Sequence, residues 1–247
     1  MKTNIFDRLT TAIASGEPVI LATIIRGAEH DVGRHLLLQR DGSIHGDHTD
    51  AAFVACVQAQ AAALFGQENS KTIKEGTREI FLESYFPPPK LIIVGAVHVA
   101  IPLVTFAQAL GYKVILVDPR QAFATAERFP EVDGLIQRWP EEALAEIGID
   151  ASTCLAVLTH DPKFDDPAIK YALQFAPAYL GVLGSRKTHE KRLQRLKADG
   201  LTEQQLARVH APIGLDLEAR TPAEIALSIM AEIIAVRRGA KLVASRQ

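Results

Sequence analysis

The chain has 247 residues, 48% hydrophobic and 23% charged, with a formal net charge of −2 and an isoelectric point near 6.5. These values suit one or two packed cores and exclude recognition of nucleic acid or a membrane surface through bulk charge. No apolar run approaches the roughly 20 residues that a bilayer-spanning helix needs.

Residues 1–17 carry Asp7 and an amphipathic pattern in place of a signal peptide's apolar core. Phe6, Leu9 and Ile13 fall on one helical face, and Gly16 is positioned to stop that helix. Residues 18–25 read as a strand. Residues 35–39 and Ile44 bracket Asp41-Gly42, a hairpin signal. An alanine-rich helix is expected over 51–65, ending at Gly66, and a strand over 77–85. Together these form a small α+β domain over residues 1–85. Pro87-Pro88-Pro89 favours a stiff, extended connection, which places a linker at 86–89 and a second domain at 90–247.

From residue 90 the pattern turns regular. Apolar runs at 91–94, 114–117, 155–158 and 179–183 alternate with helical patterns that include 99–110, 141–147 and 166–175, and a weaker strand is placed at 134–136. Such alternation predicts an α/β fold with a Rossmann-like, doubly wound parallel sheet. A last helix is expected over 222–238, with Thr221 as N-cap and Glu224 completing a capping box. No repeat or low-complexity tract is visible.

The first strand runs into Gly95, Ala96, Val97 and His98, and the second ends on Asp118, 23 residues after Gly95 (118 − 95). That is the order of a dinucleotide-binding βαβ unit. Gly95 and Ala100 fit the G-x-G-x-x-G/A fingerprint, but Val97 stands where the middle glycine would let backbone approach a pyrophosphate, and Pro102 sits near the helix start. Two readings therefore stand side by side: a dinucleotide site, and the same fold holding no dinucleotide.

Ligands of open α/β sheets bind beyond the carboxyl ends of the strands. There the chain offers His98, then Asp118 and Arg120, then Thr159, His160, Asp161 and Lys163, then Gly184, Ser185, Arg186 and Lys187. Ser185 can cap a helix whose first turns also carry His189, Lys191 and Arg192, which suits an anion such as phosphate; a solvated basic face is the alternative. Asp118 would bind a ribose hydroxyl or serve as a turn residue before Pro119, and Arg120 could stack on a base or meet a phosphate. His45, Asp47 and His48 fit no closed zinc pattern and read as a polar turn, so no metal site is expected. Cys56 and Cys154 form no CxxC and read as packing residues of a protein in a reduced, cytoplasmic setting. Trp139 before Pro140 is either a helix-entry anchor or an aromatic at the crevice rim.

Residues 86–239 resemble the C-terminal domain of the XdhC/CoxI family. The matching stretches are PPPKLIIVGAVHVA, VDPRQAFATAERFP, WPEEAL, LTHDPKFDDPAI, YLGVLGSRKTHEKRLQRL and HAPIGLDLEARTPAEIALSIMAEIIAVRRG. The resemblance implies an accessory protein, not itself catalytic, that binds the molybdenum cofactor as molybdopterin or its nucleotide form. It further implies support of sulfuration and insertion into xanthine dehydrogenase-type molybdenum hydroxylases, and a homodimer. The sequence departs from the family at Val97 and at Gly46-Asp47-His48-Thr49-Asp50, where a glycine-rich, often cysteine-bearing motif is usual. The alternatives are an NAD(P)-dependent oxidoreductase using His98, His160 or Lys163 as acid–base group, and a ligand-free interaction protein.

Overall fold

A computed structural model describes residues 5–46, 50–65 and 70–240. The chain divides into two compact units, Met1–Pro88 and Pro89–Gln247.

In the first unit, α1 (Ile5–Ser15) ends at Gly16, whose φ of 71° is the left-handed conformation that closes helices. The buried stripe of α1 is Leu9 and Ala12 with Ile5 beside them. Phe6 and Ile13, expected to share it, are 65% and 50% exposed. Positions 5, 9 and 12 lie along one row of the helix, and 6 and 13 fall about a quarter-turn off it. An antiparallel sheet follows, built from β1 (Val19–Arg26), β2 (His35–Gln39) and β3 (Ile44–Gly46) and then, after α2 (Ala51–Leu64), from β4 (Lys71–Glu75) and β5 (Arg78–Tyr85). The order is β3-β2-β1-β5-β4. The Asp41-Gly42 turn forms as the sequence indicates, with the Asp41 carboxylate accepting from the Ser43 N–H at 2.8 Å. Strand β4 was not legible: it is an edge strand with a single apolar residue, Ile73. Of the polar-turn residues, His45 lies on β3 within 3.2 Å of Gln39 Oε1, whereas Asp47 and His48, like Gly66, lie outside the described residues.

The second unit runs β6 (Lys90–Val94), α3 (Ala100–Ala109), β7 (Lys113–Val117), β8 (Gly134–Ile136), α4 (Pro140–Ile147), β9 (Thr153–Val157), α5 (Pro162–Ala172), β10 (Tyr179–Val182), α6 (Arg186–Ala198), α7 (Glu203–Leu206) and α8 (Pro222–Arg237). All strand pairs are parallel, in the order β10-β9-β6-β7-β8. Alternate side chains of each strand feed opposite faces. Leu91 and Ile93 pack under α3 and α8, while Ile92 and Val94 pack under α4, α5 and α6. Helix α5 starts at Pro162, four residues before the expected start, because Asp161 caps it and Pro162 takes the first position. The capping box of Thr221 and Glu224 on α8 is present. The outer edge of β10 is covered by the segment around His210, whose N–H donates to Leu180 O and whose carbonyl accepts from the Val182 N–H. Among the described residues no helix is long and apolar enough to cross a membrane.

Strand order reverses between β6 and β9, so the carboxyl ends of these two strands mark the switch point.

Candidate functional site

The turn leaving β6 is shaped by its neighbours. Gly95 has φ of 115°, and a Cβ there would stand 2.8 Å from Thr159 Cγ2 and 3.0 Å from the Thr159 backbone N. The glycine is therefore demanded by the loop leaving β9, which closes onto the turn. Ala96 is buried, Val97 is half-buried against the core and His98 is exposed. Helix α3 begins at Ala100, so Pro102 lies in its first turn, where an N–H has no intrahelical partner.

Asp118 is fully buried and both of its oxygens are engaged. Oδ1 accepts from Arg120 N and Nε, each at 2.9 Å; Oδ2 accepts from Arg120 Nη2 at 2.7 Å and from the Ala96 N–H at 2.8 Å. Burial raises the carboxyl's pKa, but the Arg120 hydrogen bonds and the two backbone N–H groups outweigh it and hold it below the usual carboxylate range. Asp118 thereby clamps the Gly95–Ala96 turn. Arg120 is oriented by that carboxylate, with its guanidinium carbon 4.5 Å from the Phe123 ring centroid.

Thr159 Oγ1 donates to Asp165 Oδ1 at 2.5 Å and accepts from the Asp161 N–H at 3.2 Å. His160 is exposed and adopts φ of 62°, a conformation costing about 1–3 kcal/mol for a non-glycine residue, of the kind that clusters at ligand sites. Asp161 caps α5 by accepting from the Lys163 N–H. Ser185 caps α6 by accepting from the Thr188 N–H at 3.2 Å, as expected, with Arg186 and Lys187 exposed beside it. The Cβ position of Gly184 lies 3.7 Å from Arg192 Nη2.

Arg192, one of the cations in the first turns of α6, is turned inward. It is buried, not part of a solvated run. Its Nη2 reaches Asp165 Oδ2 at 3.2 Å and Leu183 O at 3.3 Å, while Nε and Nη1, like the buried His189 Nδ1, have no hydrogen-bond partner among the described residues. Burial keeps the Asp165 carboxyl above its ordinary pKa despite Thr159 and Arg192. The signal was there: His189, Arg192 and Leu196 follow helical spacing, and Leu196 marks that row as inward-facing.

These contacts join four strand ends into one network. Asp118 holds Ala96, Gly95 abuts Thr159, Thr159 bonds Asp165, and Asp165 pairs with Arg192 beneath Leu183 and Gly184. A separate cavity of about 190 Å³ lies at the opposite, amino end of β10, lined by residues that include Tyr179, Arg208 and His210.

The family model for the XdhC Rossmann domain matches residues 91–233. The chain is 33% identical over 162 residues to a protein of Bacillus subtilis (strain 168) named as a probable xanthine dehydrogenase subunit, covering 66% of this chain and 47% of that protein. It is 27% identical over 254 aligned positions to the uncharacterized protein YqeB of Escherichia coli (strain K12), covering 96% and 47%. It is 24% identical over 274 aligned positions to the molybdenum cofactor insertion chaperone PaoD of the same strain, covering 92% and 86%. The chain thus spans about half the length of the first two relatives and most of the third. A crystal structure of a Bacillus halodurans protein named as a xanthine dehydrogenase shares the fold, with a TM-score of 0.57 at 20% identity over 97% of both chains.

Proposed function

The chain belongs to the XdhC family through its Rossmann domain, and from that premise we propose that it is an accessory protein of molybdenum-hydroxylase maturation, which takes up the molybdenum cofactor and delivers it to a xanthine dehydrogenase-type enzyme. The observation that carries this reading is likeness along 92% of the chain to a relative named as a cofactor insertion chaperone.

The residues at the carboxyl edge suit the phosphate end of such a cargo. The N-terminus of α6 offers backbone N–H groups next to Ser185, with the exposed cations Arg186 and Lys187, and Arg192 lies beneath with two donors unmatched among the described residues. Cations at a helix N-terminus oppose the helix dipole, an arrangement that a bound anion relieves. His98 and His160, both exposed, complete the polar rim. The metal chemistry of the cargo belongs to the client enzyme. The proposal extends to support of sulfuration and to a homodimer acting in the cytoplasm; light scattering of the purified protein checks the assembly.

The test is anaerobic co-elution with molybdopterin, followed by reconstitution of an apo-hydroxylase. Retained pterin and recovered hydroxylase activity are expected. A protein that elutes with no pterin and leaves the apo-enzyme inactive would overturn the reading. The NAD(P)-dependent alternative requires Asp118 to release Arg120 and Ala96 before it can bind ribose, which disfavours it.

A further inference from the structure

Along the same carboxyl edge lies an aromatic array that the phosphate contacts leave unused. Phe123, in the turn after β7, and Trp139, in the turn after β8, are 45% and 44% exposed, although each ring could contribute a large apolar area to a core. Both rest on fixed partners. The Trp139 ring lies 5.2 Å from Phe164 at an interplanar angle of 47°, and Phe164 is buried in the first turn of α5. The Arg120 guanidinium carbon stands 4.5 Å from the Phe123 centroid and 5.5 Å from that of Phe164. Lys163 Nζ lies 4.7 Å from the Phe164 ring. Loops leaving three strands of one sheet thus set rings and cations side by side.

The array is preorganised. Arg120 cannot swing away without breaking its paired bonds to Asp118, so its guanidinium plane is fixed against Phe123. Phe164, held in the core, fixes the Trp139 side in turn. Ordering cost is met in the fold itself, which leaves more of each stacking contact as affinity.

We propose that Phe123 and Trp139 form a stacking platform for a planar fused heteroaromatic ring bearing phosphate, with Arg120 and Phe164 as its fixed support. The shared chemistry is a flat fused ring joined to phosphate, which a pterin or a purine nucleotide would supply. This rests on the proposal that the carboxyl edge takes a phosphate-bearing cargo, and it names the part of the edge that holds the ring.

Trp139 is the chain's single tryptophan, so its fluorescence reports on the platform directly. The full chain is titrated with neopterin phosphate, GMP and inorganic phosphate. Saturable quenching by a ring-bearing probe and none by phosphate alone is expected; the tighter of the two ring probes identifies the source. Stacking is worth about 1–3 kcal/mol per ring, so Phe123→Ala should weaken binding about 5- to 150-fold by calorimetry, with Trp139→Leu similar and Trp139→Phe close to the unaltered protein. Circular dichroism confirms that each variant is folded. If both truncations bind the ring probes as tightly as the unaltered chain, or neither ring probe binds, the platform is overturned. Molybdopterin co-elution separates the two proposals: retention unchanged in Phe123→Ala and Trp139→Leu would remove the platform and leave the delivery role standing.

Discussion

Asp118 accepts four hydrogen bonds within the fold, and removing it would orphan both the buried Ala96 N–H and the Arg120 guanidinium. Breaking a fully buried ion pair costs about 3–5 kcal/mol; with Arg120 about one-third exposed, Asp118→Ala should cost about 2–4 kcal/mol in urea denaturation followed by Trp139 fluorescence. Because the folded carboxyl titrates below its unfolded value, its contribution is complete above about pH 4 and is lost as the pH falls through the folded pKa. The variant should therefore show a flatter loss of stability in that acid range. The same geometry decides what Val97 does. Sequence spacing makes Val97 the obstacle to a dinucleotide, whereas the structure shows a second one in the engaged Asp118. Val97→Gly should thus leave the melting temperature unresponsive to millimolar NAD or NADP; a clear upward shift would restore the dinucleotide reading. Asp118 and Gly95 were legible because a strand end, a glycine and an acid have fixed spacing. Their actual partners were not, because local spacing says nothing of a loop that arrives from residue 159.

Between α5 and α6 the fold places an ion pair with incomplete partners. Burial leaves the Asp165 carboxyl above its ordinary range, the reverse of Asp118. Its sign is also reversed: the unfolded chain ionises first, so stability falls as the pH rises from about 4 towards the folded pKa. Arg192→Met would remove the cation and raise that folded pKa further. It should cost about 3–5 kcal/mol at pH 7 and much less at pH 4, measured by urea midpoints at both values. Adding Asp165→Asn should recover much of the loss at pH 7. A loss equal at both pH values, unrelieved by the second substitution, would show that Arg192 matters only as packing. Helices α3 and α8 are legible in the sequence nearly to the residue, α8 from a capping box that satisfies its own orphan donors: Thr221 accepts from the Glu224 N–H at 3.2 Å. The start of helix α5 is not legible in the sequence, since Thr159-His160-Asp161-Pro162 has the composition of a loop and only the fold makes Asp161 its cap. Strand β4, with one apolar residue on an edge, carries almost no period-2 signal.

At the scale of the whole chain, the regular strand–helix alternation after the prolines made the second unit legible, while the first mixes orders and yielded only its separate pieces. Each unit has its own core: two clusters against the faces of the antiparallel sheet and two against the faces of the parallel sheet. Units with separate cores can unfold separately. The sole tryptophan lies in Pro89–Gln247, so tryptophan fluorescence follows that unit alone, while far-ultraviolet circular dichroism follows both. In a urea titration of the full chain the two probes should therefore give different midpoints, and residues 89–247 expressed alone should reproduce the fluorescence midpoint. The stacking platform and the α6 anion contacts lie wholly within residues 89–247, so this segment should also retain quenching by ring-bearing phosphates. Coincident transitions in the full chain, together with an isolated segment that does not unfold cooperatively, would mean that the second core depends on the first and that delivery must be explained by the chain as one body.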